Sequence, residues 1–136
     1  MVKRDAAIIL VIDDEPAVLT LTGAILEGEG FRVRLATDGA SALASVAQFG
    51  PPDLVVTDLT MPGMGGAEVA KRLVARCPDL PILFVSGYSS EDVRLEVGVG
   101  SNHFILQKPY TAQDLFEKIA GILSPKEGGQ KSTRRS

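Results

Sequence analysis

Three aspartates, a serine and a lysine stand in this sequence where an apolar run gives way to a polar group. The run Ile8–Ile12 leads into Asp13 and Asp14 (VIDDE), and Leu54–Thr57 ends at Asp58, followed at once by the turn sequence Thr60-Met61-Pro62-Gly63. Ile82–Val85 ends at Ser86 (VSGY), and His103–Leu106 leads through Gln107 to Lys108 (QKPY). Singly, each is an ordinary turn residue. Brought to one crevice they would form a reactive set. Two unit charges roughly 4 Å apart repel by about 4 kcal/mol at an effective dielectric near 20, so three carboxylates together need compensation. Lys108 can balance one charge. An oxygen-only site of two or three carboxylates suits Mg²⁺, which keeps several waters and takes few protein ligands. No Cys or His lies near to favour zinc or copper. A carboxylate, a magnesium ion, a lysine and a hydroxyl are the parts phosphoryl transfer needs, because its catalysis is positioning plus neutralisation of the migrating charge. Asp58, central in such a crevice, is the candidate nucleophile, giving an acyl phosphate.

The elements that must position these groups are legible in outline. Five apolar runs rich in β-branched residues, Ile8–Ile12, Phe31–Ala36, Leu54–Thr57, Ile82–Val85 and His103–Leu106, alternate with segments of helical period. Val18, Leu21, Thr22, Ile25 and Leu26 mark one expected helical face, Ala40, Leu43, Ala44 and Ala47 a second, and Val69, Ala70, Leu73 and Val74 a third. Ser90–Val97 is a weak helix, with only Val93 and Val97 at helical spacing. The last helix starts at Thr111, whose Thr-x-x-Asp spacing to Asp114 predicts a capping box, and buries Leu115, Ile119, Ile122 and Leu123. Strands alternating with helices imply an α/β fold with a parallel sheet covered on both faces, which suits runs such as IILVI that are apolar without alternation. In doubly wound sheets ligands bind outside the carboxyl ends of the strands, where the five polar residues stand.

Length and composition bound the class. The chain has 136 residues, 45% of them apolar and 23% charged, which fits one globular domain. No stretch approaches the roughly 20 apolar residues of a membrane span, and no signal peptide is evident, so a cytoplasmic location is expected. Cys77 is the only cysteine, which excludes an intrachain disulfide. Residues 1–124 carry 10 Lys/Arg against 16 Asp/Glu, net −6, whereas 125–136 carry 4 against 1, net +3. The expected domains are a lead-in at 1–6, one folded domain at 7–124, and a disordered basic tail at 125–136. Nothing aromatic is interleaved with the tail's charge, so it reads as a solvated end and not as a nucleic-acid or membrane contact.

VIDDE, VVTDLTMPGMGG, VSGY and QKPY, in this order and at these spacings, resemble the receiver domains of bacterial two-component response regulators. The resemblance covers about residues 7–124. It implies a flavodoxin-like, doubly wound, five-stranded parallel sheet of order 2-1-3-4-5 with five helices. It further implies that Asp58 accepts a phosphoryl group from a phosphohistidine of a sensor histidine kinase or histidine phosphotransfer protein. Mg²⁺ would be held by Asp14, Asp58 and the backbone carbonyl of Thr60, with Asp13 acting through water. Lys108 would pair with the phosphoryl oxygens, and its bond to Pro109 is often cis in the family. Ser86 would turn towards the phosphoryl group and report to the surface of the fourth helix, fifth strand and fifth helix, which also offers a route to homodimers. The domain would assist its own phosphorylation and dephosphorylation without being an enzyme in the usual sense. The segments SGYSSED and FILQKPYTAQDL look most like receivers of hybrid sensor kinases, with a single-domain response regulator as the alternative.

Three departures from the family pattern matter. Ile105 stands where an aromatic partner of the switch hydroxyl is usual, and Phe104, one residue early, should face the other way. Gly65 stands where an acidic residue commonly caps the third helix. Thr60 and Tyr88 occupy positions that tune phosphate loss in the family, and a bulky Tyr88 without a carboxylate implies slow autodephosphorylation. His103 and Cys77 read as structural residues, and PGMGG lacks the GK[ST] of a P-loop. The competing reading is a flavodoxin-like binding module, flavin-type or otherwise, that is not phosphorylated; it predicts a missing lysine, hydroxyl or acidic pair, and all are present.

Overall fold

The computed structural model describes residues 6–97 and 102–124; the expected tail at 125–136, and all of the lead-in but Ala6, lie outside them. Five strands and five helices alternate along the chain: β1 (Ile8–Ile12), α1 (Pro16–Gly28), β2 (Arg32–Ala36), α2 (Gly39–Phe49), β3 (Leu54–Asp58), α3 (Gly66–Arg76), β4 (Ile82–Ser86), α4 (Ser90–Val97), β5 (His103–Gln107) and α5 (Ala112–Leu123). The strands form one parallel sheet of order β2-β1-β3-β4-β5, as the resemblance implies. The strands at its centre are buried on both faces. Leu10, Ile12, Val55 and Phe84 share one core with Ala42, Val69, Leu73 and Val93 of α2, α3 and α4. Their neighbours Ile9, Val11, Leu54, Val56, Leu83 and Val85 share the other with Leu19, Leu26, Leu115 and Ile119 of α1 and α5. This period-2 division between two covered faces is why the central runs are apolar without a break.

Register sets the height of the strand ends. Ile12 lies opposite Thr57, Asp58 opposite Val85, and Ser86 opposite Gln107. Asp13, Asp58, Ser86 and Lys108 therefore emerge at nearly one level. β3, β4 and β5 each run one residue further than the apolar pattern predicts, so Asp58 and Ser86 are strand residues held by the ladder. β2 begins one residue later, at Arg32, because Phe31 donates its N–H to the Leu26 carbonyl and turns onto Phe116.

The faces of α1 and α2 differ from the sequence expectation. In α1 the buried residues are Leu19, Thr22, Gly23 and Leu26, leaving Val18 37% and Leu21 62% exposed. In α2 they are Gly39, Ala42 and Val46, with Leu43 half-buried and Ala40, Ala44 and Ala47 exposed. Each helix turns a glycine to its support. A Cβ on Gly23 would lie 3.1 Å from the Leu35 side chain, and one on Gly39 would lie 2.7 Å from both Met64 Sδ and Val69 Cγ2. Close approach at a residue without a side chain carries no hydrophobic signal, so the periodicity misplaced the face. α3, α4 and α5 turn the expected faces inward: Val69, Ala70, Leu73, Val93, Leu115 and Ile119 are buried, while Val74, Val97, Ile122 and Leu123 are half-buried at the edges of the cores. Thr111 Oγ1 accepts from the Asp114 N–H (3.0 Å) while Asp114 Oδ2 accepts from the Thr111 N–H (2.9 Å), which completes the predicted capping box.

The tightest backbone approach is at Gly66, where a Cβ would lie 2.4 Å from the Asp58 carbonyl oxygen and 2.9 Å from Leu59 Cα. Gly66→Ala should destabilise the fold by roughly 1–3 kcal/mol, as overpacking against backbone does. Gly121→Ala, in the interior of α5 with nothing within 4 Å of the new Cβ, should stabilise it by about 0.5–1 kcal/mol. Urea denaturation of the two variants checks both signs, and equal midpoints would contradict this packing.

Candidate functional site

The strand ends bring the sequence-predicted residues to one crevice. Asp13, Asp14 and Asp58 each offer a carboxylate oxygen within 4.8 Å of the other two. Asp13 leaves β1 with its N–H on the Ala36 carbonyl, and its Oδ1 accepts from the Glu15 N–H (2.9 Å), so the side chain is fixed at both ends of its turn. It is only 8% exposed. Burial, the largest cause, pushes its carboxyl above the ordinary value; the Glu15 N–H pulls it back in part, and the charges of Asp58 and Asp14 push it up against the pull of Lys108. Asp14 is exposed beside it.

Asp58 has a partner on each oxygen. Oδ2 faces Lys108 Nζ at 3.7 Å, and Oδ1 accepts from the Thr60 N–H at 3.3 Å. Below it, Thr57 Oγ1 donates to the Asp58 carbonyl (3.0 Å) and the Gly66 N–H donates to the Leu59 carbonyl (2.8 Å), which seats α3 against the turn. Lys108 donates its own N–H to the Ser86 carbonyl (2.7 Å), so the lysine and serine backbones are tied. Ser86 is buried, and its Oγ accepts from the Tyr88 N–H (3.0 Å). The Lys108–Pro109 bond is cis. One lysine thus stands against three carboxylates. The surplus negative charge and the all-oxygen donor set suit a hard divalent cation, not a soft or imidazole-seeking one.

The departures read from the sequence have structural counterparts. Ile105 packs with the α2–α3–α4 core and Phe104 with the α1–α5 core, so the two do face opposite ways. Gly65 caps α3 without a side-chain hydrogen bond. Thr60 and Tyr88 are both exposed at the crevice rim. Two residues escaped the sequence reading. Gly66 is fixed by backbone approach alone. Tyr110 is half-buried against the α1–α5 core, and burial, then the charges of Asp13 and Asp58, raise its phenol above the ordinary value. Only its place two residues after Lys108 could have pointed to it. His103 lies at the far end of β5, edge to face with Phe84 at 5.5 Å.

Comparison with known proteins agrees with this geometry. Residues 9–120 match the family model described as response regulator receiver domain. The sensory transduction protein RegX3 of Mycobacterium tuberculosis (strain ATCC 25618 / H37Rv) is 33% identical over 129 residues, covering 94% of this chain and 55% of that protein. The response regulator MprA of Mycobacterium sp. (strain KMS) is 36% identical over 124 residues, covering 88% and 53%. This chain therefore spans about half the length of the curated relatives it matches. Among solved structures, a response regulator receiver domain protein from Clostridium thermocellum superposes with a TM-score of 0.79 at 30% identity, covering 89% of this chain and 97% of that one. A receiver protein from Sinorhizobium medicae WSM419 gives 0.78 at 29%, covering 90% and 98%. With the family match, the sheet order and the strand-end carboxylates in agreement, the chain belongs to the response regulator receiver domain family of two-component signalling.

Proposed function

We propose that residues 7–124 act as a phosphoacceptor switch in which Asp58 takes a phosphoryl group from a phosphohistidine on a sensor histidine kinase or a histidine phosphotransfer protein. The observation that carries this reading is the double setting of Asp58: its Oδ2 is 3.7 Å from Lys108 Nζ, and it shares a cluster within 4.8 Å with Asp13 and Asp14. In the transfer an Asp58 oxygen attacks phosphorus, the new O–P bond forms as the P–N bond breaks, and the electron pair leaves on the donor imidazole, which takes up a proton. The Thr60 N–H orients the carboxylate, and Lys108 meets the charge that builds on the phosphoryl oxygens. Asp14, Asp58 and the Thr60 carbonyl would hold Mg²⁺, with Asp13 acting through water; the bound ion supplies neutralisation of the phosphoryl charge. Ser86, buried one strand away, would turn its hydroxyl to the new phosphate and so change the α4–β5–α5 surface, through which homodimers could form. The domain would serve as a signalling module assisting its own turnover, in the cytoplasm, without contacting nucleic acid or membrane. Among the described residues no helix is long and apolar enough to cross a membrane.

Incubation with acetyl phosphate and Mg²⁺ should add one phosphoryl group by intact mass, and EDTA or Asp58→Asn should abolish it; equal labelling of Asp58→Asn would refute the assignment. The bulky, 54% exposed Tyr88 carries no carboxylate to orient water, so the phosphoprotein should persist for minutes or longer. Loss of the label within seconds would overturn that expectation. Asp13 supplies a test of the electrostatics. A carboxyl whose folded pKa is raised favours folding below its unfolded pKa, and that contribution is lost as pH rises through the folded value. In EDTA at pH 7, Asp13→Asn should therefore unfold at higher urea than the wild type, with the gap closing as pH falls below the ordinary carboxylate range. Added Mg²⁺ should stabilise the wild type and leave Asp14→Asn nearly unmoved.

A further inference from the structure

α3 packs against α2, but on its other flank it stands apart from α4, and a cavity of about 590 Å³ opens between them. Among the described residues its apolar walls are Ala67, Ala70 and Val74 on α3 and Leu95 and Val97 on α4, with His103 from the start of β5 as its uncharged polar group. None of the crevice residues lines it. The alanines repeat at helical spacing along α3, so the wall lacks the bulk that would close the gap. α4 cannot close it either, because Val93 is its one fully buried side chain and Leu95 is 84% exposed. Glu68, Lys71 and Glu96 stand at the rim; Glu68 is paired with Arg72 at 2.8 Å, which leaves Lys71 and Glu96 of opposite charge, so the mouth favours neither an anion nor a cation.

His103 is unusual for a residue in such a place. Its ring is braced edge to face by Phe84, and its Nδ1 is shut from solvent with no hydrogen-bond partner among the described residues. A ligand in the cavity would therefore meet the ring through its other nitrogen or its face. Burial lowers the imidazole below its ordinary value and keeps it neutral at pH 7, when a bare ring nitrogen can accept a hydrogen bond. A mainly apolar cavity in the size range of small-molecule sites, with a few polar groups at its edges, is the usual form of a ligand pocket.

We propose that the α3–α4 cavity binds a small uncharged aromatic molecule bearing one hydrogen-bonding group, held by Ala67, Ala70 and Val97 and oriented by His103. Such a ligand would brace α4, the helix with the least packing of its own. Indole is a suitable probe, and five of the nine lining residues carry methyl groups that NMR can follow. Titration of the full chain with indole should shift the Ala67, Ala70, Val74, Leu95 and Val97 methyl signals saturably, with a dissociation constant on the order of 1 mM, the scale open to so small a ligand. Ala67→Leu, which fills the cavity from a half-buried position, should weaken binding at least tenfold, and His103→Phe, which keeps a ring and removes the nitrogens, several-fold. Absence of saturable shifts at these methyls, or unchanged binding by Ala67→Leu or His103→Phe, would overturn the proposal.

Discussion

The arrangement of the whole domain follows from one electrostatic constraint: three carboxylates and a single lysine held at the ends of adjacent parallel strands. Asp13 is nearly buried, its proton affinity is raised, and Asp14 and Asp58 lie within a few ångströms. Lys108 offsets part of that repulsion across 3.7 Å, in a partly solvated setting where such a pair contributes little by itself. The fold must supply the remaining order. It does so through backbone: Asp13 is clamped by Glu15 and Ala36, Asp58 by Thr60, and Lys108 by Ser86. A charge cluster of this kind is unfavourable for stability alone, which is the physical reason to read it as a binding site.

Positioning the cluster also constrains residues that carry no chemistry. The register of β1, β3, β4 and β5 puts the reactive side chains at one level, and a shift of one residue would point Asp58 to the wrong face. Gly66 lets α3 approach the Asp58 carbonyl, and Gly39 lets α2 close over Met64 in the turn that follows Asp58. Two glycines thus hold the loop beside the carboxylate by allowing contact that any side chain would prevent.

These contacts explain which parts of the protein were legible in the sequence. Strand runs and the residues that end them are local signals, so the sheet, the five polar groups and the Thr111 capping box could all be read in advance. The faces of α1 and α2 could not, because Gly23 and Gly39 set them by tertiary approach and glycine has no weight in a hydrophobic pattern. Tyr110 was missed for a related reason: its relation to Asp13 and Asp58 arises only after the chain turns at Pro109. The offset of Phe104 and Ile105 was readable, since alternation along a strand is obligatory and their two cores lie on opposite faces of the sheet.

That offset bears on how a change at Asp58 could travel. Ile105 is branched, packed against the core that includes Phe84 and Val93, and has no polar end with which to move between crevice and surface. The crevice is joined to α4 by backbone N–H groups on serine oxygens: Ser86 Oγ accepts from Tyr88, and the next residue, Ser89, accepts from Asp92 with its Oγ and from Val93 with its carbonyl at the start of the helix. A change of the Ser86 rotamer towards a phosphate on Asp58 would carry Oγ away from that N–H. Any reorientation of Ser86 would therefore leave the Tyr88 N–H without its acceptor, at the entry to the helix whose packing rests mainly on Val93. With no aromatic at position 105, the turn from Ser86 to Ser89 is a hydrogen-bonded connection from the crevice to the start of α4.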